Sequence, residues 1–401
     1  MKTGLVAAGA VAFGPSFYEE AFAAPAVRGR RPYGNPLAPD ANGLRLPKGF
    51  SSRVLARSGQ PVPGTAYVWP IFPDGQSTFR TRDGGWILCT NSEVPTPVHL
   101  PLDIGNPGEG GASAIRFNRN GRIVDAYRIL EGTSSNCAGG PTPWGTWLSC
   151  EETEAGLVWE CDPRGRSKAV AHPAMGIFNH EAACVDPKRG HAYLSEDDGE
   201  GGFYRFTPKR KGDLSSGLLE IAKLRSDRTV RWVKVPDPSA ATTPTRKQVK
   251  GATQFRRGEG IWYDRGNVYL ATTSDGRIWR YNIRKGRMKA IYDPELLAFP
   301  LLTDVDNITV SRSGDIFVCE DNGDPDAYDI AIITSRRRRV NRFLKMTGPQ
   351  HGDPSTDAAS EVTGVCFDPS GKRMYFSSQR GFGSGITYEV RGPFRTQRPE
   401  R

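Results

Sequence analysis

Ile308-Thr-Val-Ser-Arg-Ser-Gly-Asp-Ile-Phe-Val318 sets two runs of β-branched and aromatic residues around a Ser-to-Gly turn. Such runs joined by an Asp/Asn/Ser–Gly turn are the signature of a tight hairpin. The same unit recurs at Phe79–Cys89, Ile115–Val124, Ala183–Leu194, Ile261–Leu270 and Val365–Phe376. Successive units start roughly 35 to 80 residues apart, a period that fits propeller blades of several strands with inserted loops. Gly202–Phe206 and Asp275–Asn282 supply outer strands, and residues 233–255, rich in Pro and Thr, read as an insertion between blades. Long helices are scarce, with Ser215–Leu224 the one short helix candidate. The expected fold is therefore an all-β propeller.

Composition supports this. The 401 residues include 46 Gly and 31 Pro spread along the chain, and eight Trp, too many for a disordered polymer. A prior of about 150 residues per domain suggests two or three domains, but propellers exceed it as single units. Residues 27–401 read as one propeller domain, expected to be a monomer. No apolar run reaches the roughly 18 residues a membrane helix needs, so no membrane span is expected. The net charge of +10 comes from scattered Lys and Arg, with Arg336–Arg339 the one dense run. That scatter argues against a nucleic-acid partner and suits attraction of phosphorylated small molecules.

Residues 1–26 have the layout of an export signal: Lys2, the apolar stretch Leu5–Phe17, and small-residue cleavage sites within Ala21–Ala26. The short charged region looks like the tail of a twin-arginine signal, which predicts a periplasmic or secreted protein exported already folded. Seven cysteines then face an oxidising compartment, an odd number with no C-x-x-C spacing. Cys150 with Cys161, or Cys150 with Cys184, are the candidate pairs.

The acidic residues fall in register. Counting back five from the turn residues Asp186, Asp264 and Ser311 gives Glu181, Glu259 and Asp306. From Asp368 the same count gives Thr363, with Glu361 two residues earlier on the same strand face. Inner strands line a propeller's channel, and carboxylates converging there repel one another unless cations neutralise them. In Asn136-Cys137-Ala-Gly-Gly-Pro-Thr-Pro-Trp-Gly-Thr-Trp-Leu-Ser-Cys-Glu151-Glu152, the glycines allow close backbone approach, and Cys137 can face the same cavity as Glu151 or Glu152. A thiolate beside carboxylates suits a transition metal rather than calcium alone. His180 falls on the opposite strand face from Glu181 and reads as structural. Asp197, Asp198 and Glu200, and likewise Glu320 and Asp321, read as solvated turns or calcium ligands.

Asn136–Thr146, Cys150-Glu-Glu152, His180-Glu-Ala-Ala183, Arg257-Gly-Glu259, Asp306-Asn307 and Glu361-Val-Thr-Gly364 together resemble the PhoX-type alkaline phosphatases, over about residues 70 to 390. The resemblance implies a six-bladed propeller with ferric iron and calcium at the channel mouth. It implies Cys137 as an iron ligand, and Glu151 or Glu152, Glu181, Glu259, Asp306 and Glu361 as carboxylate ligands. Glu93, in Asn91-Ser92-Glu93, is similar to the family's Asn-His-Glu segment, with Ser replacing His. Arg257 is similar to the arginine that contacts phosphate, although Gly258 stands where relatives often have Pro. The implied activity is hydrolysis of phosphomonoesters or phosphodiesters of small molecules. The alternatives are a calcium-dependent propeller lactonase or other hydrolase, which needs no Cys137, and a non-catalytic secreted binding module.

Overall fold

A computed structural model describes residues 27–28, 31–95, 110–321, 328–335, 338–351 and 360–398; the expected export signal lies outside the described residues. Six sheets follow one another along the chain, antiparallel except for one short parallel pairing in the fifth. Blade 1 runs from Pro73–Arg80 to Ile123–Thr133, blade 2 from Asn136–Pro141 to Val170–Ala171, and blade 3 from His180–Val185 to Val230–Lys234. Blade 4 runs from Gly258–Asp264 to Arg287–Tyr292, and blade 5 from Val305–Val310 to Arg339–Met346, its outer strand also pairing with Val27–Arg28 and Leu44–Arg45. Blade 6 takes three strands from Val362–Phe367 to Ile386–Arg391 and its fourth, Ser51–Arg57, from the other end of the chain. That exchange closes the circle, and the first strand of each blade packs on that of the next, including blade 6 on blade 1. The fold is a six-bladed β-propeller.

The core is divided as the blades are. Six clusters of buried side chains each fill the space between two consecutive blades; one, for example, joins Tyr193 and Phe203 of blade 3 to Ile261 and Trp279 of blade 4. Each buried Leu, Ile or Phe contributes on the order of 1.5–3 kcal/mol, so blade-to-blade packing, not any one blade, holds the circle.

Two expectations are corrected here. Ser215–Leu224 is not a helix: Asp213–Leu224 is a strand paired with Phe203–Arg210 on one side and Val230–Lys234 on the other. A short apolar run carries no decisive period, and ladder partners on both sides settled its state. The cysteines are also unpaired: all seven are buried and free. Cys150 stands opposite Val158 and Cys161 opposite Trp147, three rungs apart on the ladder, or about 10 Å at the usual strand rise and beyond disulfide reach. Cys184 packs toward blade 4, whereas Cys150 packs between blades 2 and 3.

Candidate metal centre

The inner strand of every blade carries a register shift near its start: Pro73/Gln76, Asn136/Gly139, His180/Ala183, Gly258/Ile261 and Val305/Ile308, and one residue later in blade 6, Thr363/Cys366. A bulge re-aims the side chains within it. Within the first five of these bulges lie Asp74, Cys137, Glu181, Glu259 and Asp306, and Thr363 borders the sixth; all six are buried. The residue that follows each is Gly or Ala in five blades, Gly75, Ala138, Ala182, Gly260 and Gly364, and Asn307 in blade 5, whose side chain accepts from the Gly364 N–H. A Cβ on Gly75 would lie 2.5 Å from the Ala138 Cα, and one on Gly260 would lie 2.6 Å from the Ile308 nitrogen. The strands crowd one another at the axis at this level.

A second tier stands at the ends of the second strands. The backbone N–H groups of Glu93, Glu152, Asp197, Thr273, Asp321 and Gln379 donate to the carbonyls of Phe72, Ser135, Asn179, Arg257, Asp304 and Glu361 at 2.8–3.2 Å. One bond per blade thus fixes each second-tier residue against the residue just before its inner strand.

Ligand-type atoms lie within 4.8 Å of one another in three groups: Asp74, Glu93 and Cys137; Cys137, Glu152 and Glu181; Glu181, Glu259 and Asp306. Cys137 and Glu181 are each shared between two groups, so the set forms one continuous arc across blades 1 to 5. Both carboxylate oxygens of Glu181 are buried without a hydrogen-bond partner, as is Asp74 Oδ1. Burial, and then the charge of neighbouring carboxylates, pushes the carboxyls of Asp74, Glu152, Glu181 and Asp306 well above the usual range. Burial does the same to Glu259, with Asp197 the next cause, and raises the Cys137 thiol. Bare buried oxygens that repel one another are what a cation relieves. Hard carboxylate oxygens suit a cation such as calcium, and one thiolate among them suits a transition metal, iron among them, so the donors are compatible with both kinds of ion.

Of the residues singled out in the sequence, Cys137, Glu152, Glu181, Glu259, Asp306 and Glu93 are brought together. Glu151 points elsewhere: Oε1 accepts from the Ser134 N–H at 3.0 Å, and Oε2 accepts from the Leu157 N–H at 3.2 Å and from Trp159 Nε1 at 2.9 Å. Its neighbour's alternation along the chain, not its own, faces the channel. Glu151→Ala is therefore expected to lower folding stability by about 2 kcal/mol while bound metal stays as in the unsubstituted protein. Urea denaturation and metal analysis check this; unchanged stability with lost metal would contradict it. Glu361 belongs to none of the three groups; it precedes its inner strand, as Arg257 does in blade 4, and pairs with Arg380.

Arg257, in the left-handed region at φ 49°, places Nε 3.0 Å from Asp197 Oδ1 and Nη2 3.2 Å from Glu259 Oε1. Burial works against its charge, but the bond to Asp197 and the charge of Glu259 keep it firmly protonated. Its side chain remains 42% exposed, open to the mouth. His180 is structural: Nε2 lies 3.0 Å from the Gly176 carbonyl, the ring centre lies 3.7 Å from that of Phe178 at a tilt of 32°, and burial lowers its pKa to about 4.

Asp74 was not read from the sequence as part of this set, nor were Gln379 and Arg380. Cys137 does lie five residues before a turn residue, Thr142, although that turn lacks the Asp or Ser used as the marker. In blade 1 the turn residue is Thr81, seven residues beyond Asp74, so the count misses by two while the strand face stays the same.

The fold and this arc define a class: a six-bladed propeller with a thiol and an acidic cluster at its channel mouth. Residues 110–293 match the family described as alkaline phosphatase PhoX, which bears out the resemblance over that stretch and supports a phosphatase. The stretch contains Cys137, Glu151, Glu152, Glu181, Arg257 and Glu259; Asp74, Glu93, Asp306 and Glu361 lie outside it. No curated protein sequence matches the chain. Among solved structures, a protein of unknown function from Bacteroides thetaiotaomicron VPI-5482 is similar at 9% identity and TM-score 0.51, over 85% of this chain and 76% of that one. Regucalcin, a calcium-binding protein from Agrobacterium tumefaciens str. C58, is similar at 13% identity and TM-score 0.41, over 88% of this chain and 98% of that one. At such identity the first likeness bears on the fold alone. Among the described residues, no helix is long and apolar enough to cross a membrane.

Proposed function

We propose that the protein is an exported phosphatase that hydrolyses phosphomonoesters, or phosphodiesters, of small molecules at a calcium and ferric-iron centre. The observation that carries this is the continuous arc of buried donors with a thiol inside it and with Glu181 lacking any partner. Cys137, Glu152 and Glu181 would hold iron; Glu181, Glu259 and Asp306, and Asp74 with Glu93, offer the all-oxygen positions for calcium. Bound there, the ions supply positive charge for phosphoryl oxygens and acidity for an attacking water. Arg257 donates a forked pair of hydrogen bonds to the phosphoryl group. Asp197 and Glu259 hold its guanidinium in place and charged, so it meets the substrate dianion without reorganising. No serine nucleophile is required. Export in the folded state belongs to the same reading, because seven buried thiols escape oxidation if the fold closes first.

A calcium-only propeller hydrolase, such as a lactonase, and a non-catalytic binding module both do without the thiolate. Cys137→Ser separates them from the phosphatase. Oxygen replaces sulfur with little change in volume, so the variant is expected to fold but to lose iron, visible colour and at least about 100-fold in turnover. Full iron content and activity in that variant would remove Cys137 from the centre.

A further inference from the structure

Blades 4 and 6 depart from the pattern of the other four. At the second tier, blades 1, 2, 3 and 5 place the carboxylates Glu93, Glu152, Asp197 and Asp321, whereas blade 4 places Thr273 and blade 6 places Gln379. Each of these two blades adds an arginine beside its neutral residue: Arg257 in blade 4 and Arg380 in blade 6. Blade 6 also has Thr363 where other blades offer an inner carboxylate or thiol. Gln379 Nε2 donates to Asp74 Oδ2 at 2.6 Å and to Glu93, so it steadies the acidic arc without adding charge.

Arg380, like Arg257, is tethered by a carboxylate and left partly exposed. Its Nη1 donates to Glu361, and its Cζ lies 5.8 Å from the centre of the Phe72 ring. Glu361 and Glu93 both act on its charge, which places the guanidinium at the acidic mouth. Arg257 borders the mouth on the side of blades 3 and 4, through Asp197 and Glu259, and Arg380 borders it on the side of blades 6 and 1, through Glu361 and Phe72. The Arg380 side chain stays 37% exposed, close to the 42% of Arg257. A guanidinium has five donors in a planar fork, and one bond to Glu361 fixes its place while leaving others to face the mouth.

We propose that Arg380 is a second phosphoryl-binding residue that, with Arg257, clamps the substrate phosphoryl group at the channel mouth. The clamp rests on the phosphatase reading given above. It assigns the two arginines, beside the neutral second-tier residues of blades 4 and 6, to the anionic substrate and the acidic arc to the cations. Two guanidiniums facing one phosphoryl group favour a doubly charged monoester over a singly charged diester.

The test uses the metal-loaded protein, Arg380→Gln and Arg380→Lys, with inorganic phosphate as the probe. Phosphate inhibition constants, phosphate-dependent shifts in Tm, metal content and steady-state kinetics are measured on the same samples. Arg380→Gln is expected to weaken phosphate roughly tenfold or more, and to raise KM for p-nitrophenyl phosphate by a similar factor, with metal content unchanged. The same variant is expected to lose more on the monoester than on bis(p-nitrophenyl) phosphate. Arg380→Lys is expected to recover part of the loss, since it keeps the charge but not the fork. Turnover with phosphate affinity within twofold of the unsubstituted protein, or a loss that only follows lost metal, would overturn the clamp alone. An unsubstituted protein that neither binds phosphate nor turns over either ester would overturn the phosphatase reading with it.

Discussion

Glu181→Gln and Glu259→Gln are each expected to remove most phosphomonoester turnover, and the double variant to be scarcely worse than either. Glu181 is shared by two of the three donor groups, and Glu259 joins Asp306 in the third. Losing either carboxylate leaves a cation short of charge and displaces the others. Residues that act as one unit give grossly non-additive effects, so a fall of at least about 100-fold in kcat/KM is expected for each single variant. Gln keeps the shape of Glu, and both positions lie above crowded backbone rather than in the packing between blades, so the propeller is expected to fold. Independent surface carboxylates would instead give small effects that add. Steady-state kinetics on the three variants, with circular dichroism to check folding, decide this. Near-normal activity in both singles would return these residues to ordinary strand decoration.

Removing metal is expected to make stability fall steeply with pH. Burial and mutual repulsion raise the carboxyls of Asp74, Glu152, Glu181, Glu259, Asp306 and Glu361 in the folded chain. A group whose folded pKa lies above its unfolded value favours folding fully below the unfolded pKa, near 4 for carboxyls, and loses that contribution as pH rises through the folded pKa. Each unit of such a shift amounts to about 1.4 kcal/mol. Chelator-treated protein is therefore expected to lose about 10 °C or more in Tm between pH 5 and pH 8. Returned calcium is expected to restore most of it at pH 8, because an ion that binds only the folded state stabilises it. A Tm that stays level across this range, with and without calcium, would show that the carboxylates do not share one buried site.

The propeller was legible because each hairpin advertises itself locally: Ile308–Val318 needs only its alternation and its Ser-to-Gly turn. The acidic register was legible for the same reason, since Glu181, Glu259 and Asp306 sit at a fixed distance from such turns. Asp74 escaped because the blade 1 strand is two residues longer before its turn. Asp197 and Asp321 were read as turn acids or calcium ligands. That every second strand ends at the same mouth is a property of the closed circle, which no local pattern carries. Gln379 and Arg380 have no acidic signature; Gln379 is placed only by being the sixth member of the second tier, and Arg380 by following it in the chain. Glu151 and Glu152 were indistinguishable in the chain; backbone donors at Ser134 and Leu157, from two loops, take up the first. Ser215–Leu224 shows the converse, where a short run without a decisive period took the structure its neighbours on the ladder imposed.

Elemental analysis of the unsubstituted protein, purified from an exporting host, with phosphomonoester turnover measured on the same sample, tests the central claim most directly. Iron and calcium both bound at one or more per chain, with turnover that disappears on chelation, is the predicted result. Calcium without iron, or either metal content with no phosphate ester turned over, would contradict it.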